Sequence, residues 1–312
     1  RPKTGTHASR RAVARLGRIL RTDYDLYLML VPGLVLVFLF NYLPMYGASI
    51  AFKDFNLMKG ILDSPWVGFK HFEDLIKAPE FARVFRNTIL ISVYRLIFQF
   101  PLPIILALMI HEVRNVVFKR TVQTVTYLPH FLSWVIVGAM VIDLLSPRYG
   151  LINQGLALVS LGPITLMDKH VFRGIIVASQ TWKEIGWSAI IYLAAISAIS
   201  PELYEAAIVD GASKLRRIWH ITLPGIQSTI VFVILLRIGA LMLTDVEQVL
   251  MLYNPLVYET GDVIGTYVYR VGLGQMKYSF TAAVGLFQSV IGFGLLVVAN
   301  HLAHRYRGTG MF

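Results

Sequence analysis

The chain has 312 residues, of which 56% are hydrophobic and only 15% are charged, and its net charge is +11. Soluble domains average about 45–50% apolar and about 25% charged residues, so this composition excludes an ordinary soluble domain and indicates a membrane protein with several spans. The chain has no cysteine, which excludes disulfides and thiolate metal sites.

Residues 1–25 form a basic segment ahead of the first apolar run. Lys and Arg accumulate on the cytoplasmic side of membrane proteins, so this segment is predicted to be cytoplasmic. Two interpretations of its structure stay open, a short helix on the anionic inner leaflet and a disordered tail. The apolar run that follows is too long for a signal peptide, and it is therefore predicted to be an uncleaved first helix.

Residues 26–312 are predicted to form an all-α polytopic permease domain. A helix needs about 20 apolar residues to cross the bilayer core. Six segments meet this length, and they lie near 26–48, 87–110, 125–146, 171–196, 225–250 and 280–303. Lys and Arg are in excess in the segments that this arrangement puts inside, so both termini and the loop at 200–224 are predicted to be cytoplasmic.

That loop contains a cationic, amphipathic stretch, which reads YEAAIVDGASKLRRIWHITLP from Tyr204 to Pro224. Pro201 and Gly211 are expected to bound one short helix, and Ser213 is suited to cap a second. In the second helix, apolar residues recur at helical spacing and basic residues face away from them. A stripe of this kind predicts contact with another protein or with lipid headgroups.

The same stretch resembles the EAA loop of binding-protein-dependent ABC importer permeases. The pattern of that loop is E-A-A, two residues, D-G-A and then I-x-L-P, and every fixed position is met here. The residues that it assigns to ATPase coupling are Glu205, Ala206, Ala207, Asp210, Gly211, Ala212 and Pro224. An ordinary interfacial helical hairpin is the alternative interpretation.

The resemblance extends over roughly 90–310 and includes GWSAIIYLAAISAISPELYEAA, DVIGTYVYRVGL and YSFTAAVGLFQSVIG. These stretches are similar to sugar importer permeases, in particular to the branch for oligo- and polysaccharides that includes the alginate importer. The resemblance implies the type I importer permease fold in the inner membrane. It also implies a second homologous permease, two ATP-binding subunits that carry ATP and Mg²⁺, and a solute-binding protein that delivers the carbohydrate.

Within that family, the glutamate at the position of Glu205 meets a basic residue of the ATPase, and the turn at Asp210 and Gly211 sits in a groove of that subunit. The resemblance thus implies that ATP-driven closure moves the permease helices. Transport would then proceed by alternating access.

Charged residues remain within the predicted spans, where a charge costs about 2.5–3.5 kcal/mol and is expected to face the bundle interior or a water-filled cavity. Two helical faces flank the loop, and each combines polar groups with helical spacing. An aromatic ring beside hydrogen-bonding groups suits a sugar, and the sugar site of the similar maltose importer draws on the same helices. The predicted substrate-pathway residues are Gln180, Lys183, Glu184, Trp187, Arg237, Leu241 and Thr244. A structural Glu184–Arg237 ion pair is the alternative, and the isolated His130 is interpreted as an interfacial polar group.

The chain has no G-x-x-x-x-G-K-[ST] motif, so it is predicted to bind no ATP itself and not to be an enzyme by itself. No metal motif is present, and no nucleic-acid partner is expected because apolar spans enclose the basic loop. Arg95, Lys183 and Arg237 favour an acidic sugar such as alginate, although Glu184 and Asp245 offset two of these charges. An ion-coupled secondary transporter is the alternative function, which inverted internal repeats would favour.

Overall fold

The computed structural model describes residues 24–243 and 245–307, with side chains through residue 305. The predicted basic segment at 1–25 therefore lies almost wholly outside the described residues, as does Thr244. The chain divides into two compact units, Arg1–Lys70 and His71–Phe312. The described residues contain helices and two isolated β-bridges, and they contain no strand.

The described part of the first unit is dominated by helix α1, Tyr24–Phe52. This helix is apolar on every side, and none of the residues of Tyr24–Val37 is buried. A helix that is hydrophobic all round belongs in a membrane or a large core. The loop that follows is held by Lys53, whose Nζ donates to the carbonyl oxygens of Ile61 at 2.6 Å and Leu62 at 3.2 Å.

The remaining helices are given in chain order. They are α2 (Lys70–Lys77), α3 (Pro79–Glu112), α4 (Val116–Phe131), α5 (Trp134–Leu144), α6 (Leu151–Leu158), α7 (Phe172–Ser197), α8 (Pro201–Val209), α9 (Lys214–Gly225), α10 (Gln227–Gly239), α11 (Val246–Leu252), α12 (Ile264–Val268) and α13 (Tyr278–Arg307). Short single turns connect several of them.

Helices α1, α3 and α13 are each long and apolar enough to cross a membrane. Three further spans arise if each bent pair counts as one, namely α4 with α5, α7 with α8, and α9 with α10. The described residues thus provide up to six spans, the number that the sequence predicts.

Three apolar clusters hold the second unit together. One joins α3 to α7 and α10 through Ala107, Tyr192 and their neighbours. A second joins α3, α7 and α11, and the third joins α2, α3, α12 and α13. Helix α3 takes part in all three clusters and α7 in two of them, and the polar residues Gln180 and Lys183 of α7 are buried.

The structure corrects the third predicted span, because 125–146 is not one helix. Helix α4 ends in a 3-10 turn that contains Pro129, and α5 leaves it at an angle of 104°. Ser133 is extended at the bend, and its hydroxyl accepts from the backbone N–H of Ile136 at 3.4 Å. A capping serine in that conformation starts a new helix.

The fifth predicted span, 225–250, is also wrong as a single helix. Helix α10 ends at Gly239, and α11 begins only at Val246. The carbonyl groups freed at this break find side-chain partners. Ser92 Oγ donates to the carbonyl oxygen of Leu241 at 2.5 Å, and Gln288 Nε2 donates to that of Met242. Irregular backbone is tolerated at membrane depth where protein satisfies it in this way.

Candidate transport site and coupling loop

The loop at 200–224 is a helix–turn–helix, as the sequence predicts. Ser200 Oγ accepts from the backbone N–H of Glu202, and Pro201 occupies the first turn of α8. Gly211 has a φ of +73°, the left-handed region that favours glycine, and it ends the helix. Ser213 Oγ then accepts from the backbone N–H of Arg216 and begins α9. The local chemistry of the sequence is sufficient to produce this fold.

Most of the predicted coupling residues are exposed. Glu205, Ala206, Asp210, Gly211 and Pro224 lie at the surface, whereas the two remaining residues are half-buried; these are Ala207 and Ala212. Large apolar side chains beside them are also exposed, namely those of Leu203, Ile208, Val209, Leu215 and Trp219. A patch of this kind, rimmed by basic residues, marks a surface that binds another protein or a membrane.

One contact holds the loop together internally, and another ties it to the helix bundle. Tyr204 and Thr222 share a hydrogen bond of 3.0 Å between their hydroxyl groups, which joins α8 to α9. Lys214 Nζ lies 3.8 Å from a carboxylate oxygen of Glu112 at the end of α3. Thr222 is buried, so the predicted stripe of α9 does not face outward as a whole. Movement of this loop would therefore be passed to the helices around it.

The predicted residues on α7 form one cluster with His130 from the end of α4. His130 Nδ1 and Glu184 Oε2 are 2.9 Å apart, and Lys183 Nζ donates to the backbone carbonyl oxygen of His130 at 2.7 Å. Lys183 Nζ also lies 3.5 Å from Glu184 Oε1. The imidazole of His130 stacks on the indole of Trp187, with 4.4 Å between ring centroids and 1° between planes.

This arrangement corrects two interpretations of the sequence. Glu184 pairs with His130 and Lys183, and it does not pair with Arg237, whose Nη2 donates to Ser188 Oγ at 3.3 Å. His130 is a member of the candidate site and not merely an interfacial polar group. The sequence contains a signal for it, since Pro129 and the capping Ser133 place His130 at a helix break.

A second contact ties the cluster to the broken segment after α10. Asp245 Oδ2 accepts from Trp134 Nε1 at 3.1 Å and from Gln180 Nε2 at 3.4 Å. Lys183 lies over the Trp134 ring, 5.6 Å from its centroid. Trp134 and Asp245 were absent from the predicted site residues. The sequence places Trp134 directly after the capping Ser133, but nothing in it pairs this ring with Asp245.

The predicted second face, Arg237 with Leu241 and Thr244, does not exist as a helical face. Helix α10 ends at Gly239, so helical spacing no longer relates these residues, and Thr244 is outside the described residues. Arg237, Leu241 and Gln180 nevertheless line one cavity of about 90 Å³, whose wall combines polar and apolar side chains. Residues of α3 complete its wall, including Ser92, Arg95 and Gln99.

The described residues contain no group of three or more His, Cys, Asp or Glu side chains that is arranged to hold a metal ion. The candidate site therefore consists of hydrogen-bonding groups, charges and aromatic rings. Such a set binds polar organic ligands, with the rings contacting C–H faces and the polar groups contacting hydroxyls.

Comparisons with known proteins place these features in a family. Residues 99–308 match the family described as "Binding-protein-dependent transport system inner membrane component". Protein LplB of Bacillus subtilis is 45% identical over 294 residues, which cover 94% of this chain and 92% of the relative. The polygalacturonan/rhamnogalacturonan transport system permease protein YteP of the same organism is 44% identical, over 92% of this chain and 90% of the relative.

Solved structures of ABC transporters also resemble this chain in sequence and in fold. A chain in the crystal structure of a bacterial ABC transporter involved in the import of the acidic polysaccharide alginate is 41% identical, with a TM-score of 0.85. The match covers 94% of this chain and 99% of that one. A bacterial alginate ABC transporter in complex with an alginate pentasaccharide-bound periplasmic protein gives a TM-score of 0.86 at 41% identity, over 95% of this chain and 100% of that one. This chain therefore has the ABC importer permease fold and belongs to the family of inner membrane components of binding-protein-dependent transport systems.

Proposed function

We propose that this chain is a transmembrane subunit of an ATP-driven importer that moves an oligo- or polysaccharide across the cytoplasmic membrane. The observation that carries the proposal is the continuity of α7 with the exposed coupling loop. Helix α7 bears the cluster of Lys183, Glu184 and Trp187, and only three residues separate its end at Ser197 from the start of α8 at Pro201. A movement of the loop therefore acts directly on the helix that would hold the cargo.

The exposed face of the loop is the proposed docking site for an ATP-binding subunit. Glu205 on α8 and the turn at Asp210 and Gly211 would contact that subunit. Two such subunits would bind ATP and Mg²⁺, and a second homologous permease would complete the pathway. A solute-binding protein would deliver the cargo on the outer side, and both termini of this chain would be cytoplasmic. Closure of the ATP-binding subunits would drive alternating access.

The proposed pathway site is the cluster on α7. Trp187 is 44% exposed, and His130 covers one side of its ring. Phe131 packs edge-on against the same ring, with 5.6 Å between centroids, and the exposed part of the indole would contact a sugar ring. The contact between His130 and Glu184 would hold the stacked pair in place. The relatives named above support a polysaccharide that contains uronic acids, because one is named for polygalacturonan and the other takes part in alginate import.

The proposal is tested by purifying the chain with its partners from the native membrane. The purified complex is reconstituted in proteoliposomes with its binding protein, and ATP hydrolysis and uptake are measured with uronate and neutral oligosaccharides. We expect a second permease and an ATPase to co-purify, and a saccharide to stimulate hydrolysis. A chain that purifies alone and shows uptake driven by an ion gradient would contradict the proposal.

The coupling role is tested by Glu205→Lys, with Glu202→Lys as the matched control. Both glutamates are exposed on α8, but only Glu205 belongs to the E-A-A group. We expect Glu205→Lys to leave membrane insertion intact and to abolish saccharide-stimulated uptake, because the reversed charge would repel a basic residue of the ATPase. The control should transport nearly normally. Full uptake by Glu205→Lys would exclude the coupling role.

A further inference from the structure

Three side chains that line the cavity beside the aromatic cluster each have a buried polar atom without a hydrogen-bond partner in the described residues. These atoms are Arg95 Nε, Gln99 Nε2 and Gln180 Oε1. The side chains of Gln99 and Gln180 are almost fully enclosed, with 4% and 8% of their surface exposed. A buried donor or acceptor without a partner costs about 1–3 kcal/mol, so three in one cavity indicate a place where a polar ligand binds.

Arg95 is held in position and does not depend on a ligand for its orientation. Its Nη2 donates to Gln248 Oε1 at 2.5 Å. Gln248 is itself fully buried, and its Nε2 donates to Ile176 O at 2.7 Å and to Ser179 Oγ at 2.9 Å. The guanidinium is thus fixed through Nη2, and its buried Nε has no hydrogen-bond partner within the described residues.

The charges around the cavity leave an excess of one positive charge. Arg95 and Arg237 both line it, and the charge of Arg237 acts on Arg95. Asp245 is the acidic group that acts on Arg95, and it already accepts hydrogen bonds from Trp134 and Gln180. Glu184 is engaged by Lys183 and His130 and does not line the cavity.

We propose that this cavity binds a carboxylate of an acidic saccharide, with Arg95 and Arg237 supplying the positive charge and Gln99 donating a hydrogen bond. The inference rests on the proposed import function and assigns to that pathway a site that selects a charged cargo. Gln180 Oε1 is an acceptor, so it suits a hydroxyl next to the carboxylate. A uronate residue presents both groups on one ring. Gln180 also borders the aromatic cluster through Asp245, which makes the two sites continuous.

The helix geometry explains why these groups face the cavity together. Arg95–Gln99 is a π-helical turn within α3, and Pro101 follows after Phe100. Proline has no N–H to continue the regular pattern, and π-turns inside α-helices are frequent at functional sites. The break after α10 brings Leu241 to the opposite wall. The π-helical turn in α3 and the break after α10 are both needed to bring the lining side chains together.

The test uses the whole importer complex in proteoliposomes with its binding protein, and the probes are trigalacturonate, trimannuronate and their carboxyl-reduced neutral counterparts. Uptake is measured for the wild type, Arg95→Gln, Arg237→Gln and the control Arg148→Gln. Arg148 is an exposed arginine away from the cavity, so it controls for general attraction of anions. The binding protein is the same throughout, so differences between variants report on this chain.

We expect Arg95→Gln and Arg237→Gln each to raise the half-saturating concentration of the uronate trisaccharide by about tenfold or more, since a hydrogen bond to a charged group contributes that much. Arg148→Gln should change it by less than about twofold. Arg95→Lys keeps the charge and should recover part of the loss.

Two results would overturn the inference. They are unchanged uronate uptake by both cavity variants and an equal loss in Arg148→Gln. The first result requires that both variants fold, and it would leave the import function intact. A complex that takes up none of the saccharides would instead refute the proposed function, and the inference with it.

Discussion

At the scale of single residues, Asp262 shows how this chain accommodates a buried charge just before α12. Its side chain is fully buried, and Arg270 donates to both carboxylate oxygens, at 3.1 Å and 2.6 Å. Thr266 Oγ1 donates to the same group at 2.8 Å. The hydrogen bond from Arg270 to Asp262 raises the pKa of Arg270 above its ordinary value. Lys169 and Glu259 form an ion pair nearby, but both are exposed.

Replacing Asp262 by alanine should destabilise the protein by about 3–5 kcal/mol, because the guanidinium of Arg270 would lose its charge partner in a partly buried position. Glu259→Ala removes an ion pair that water and salt screen, and it should have little effect. Thermal unfolding of the two variants in detergent compares them directly. Equal unfolding midpoints of the two variants would show that the buried Asp262–Arg270 pair contributes no more stability than the exposed Glu259–Lys169 pair.

Trp187 is the residue that we expect to contact a sugar ring. Trp187→Ala should raise the half-saturating concentration for uptake several-fold, since an aromatic contact contributes about 0.5–1.5 kcal/mol beyond its buried area. Trp182→Ala is the matched control, because Trp182 lies on the same helix with 46% of its surface exposed but lines an apolar cavity. Equal losses in the two variants would indicate a packing role for both rings. Trp187→Phe, which keeps an aromatic face, should retain most of the uptake.

At the scale of elements, the close approach of α7 to α4 depends on one glycine. A Cβ atom at Gly186 would lie 2.0 Å from the backbone oxygen of Thr126, a distance that no real contact allows. The neighbouring residues Lys183 and Glu184 reach His130 at the end of α4. The absence of a side chain at Gly186 therefore lets the cluster assemble.

Gly186→Ala should push α7 away from α4, lower the unfolding midpoint and reduce uptake. Gly174→Ala is the matched control on the same helix, since a Cβ there has no atom within 4 Å. Alanine is a better helix former than glycine by roughly 0.5–1 kcal/mol, so the control should be neutral or slightly more stable. Unfolding in detergent and uptake in proteoliposomes measure the two effects. A Gly186→Ala protein as stable as the control would contradict the close approach.

At the scale of the whole molecule, the positive charges predict one orientation in the membrane. Val209 lies in the coupling loop, and Leu158 ends α6 in a loop that is predicted to be outside. Their side chains are 87% and 88% exposed, so reagents should reach both equally well. The chain has no cysteine of its own, which makes single cysteines specific probes.

In cells that produce this chain alone, Leu158→Cys should react with a membrane-impermeant maleimide before lysis. Val209→Cys should react only after the membrane is permeabilised, because the loop would face the cytoplasm. The fraction labelled under each condition is read from a gel. The reverse pattern would place the loop outside, where no ATPase could reach it.

The sequence by itself determined the membrane character, the number of apolar segments, the helix–turn–helix and the resemblance to importer permeases. These features follow from local causes: apolar length, the proline and serine at helix starts, and Gly211 at a turn that needs a positive φ. The family match and the described helices confirm the resemblance and the fold. The roles of the coupling and pathway residues stay predictions.

Only the tertiary structure decided which polar groups meet. Helical spacing assumed that 225–250 was continuous, but Ser92 from α3 and Gln288 from α13 satisfy the carbonyl groups of a break after Gly239. The sequence pattern also suggested a pair of Glu184 with Arg237, whereas the bend between α4 and α5 brings His130 to Glu184. Such pairings depend on contacts between segments far apart in the chain, and a periodic pattern within one segment carries no information about them. The cavity between Arg95 and Arg237 has the same origin.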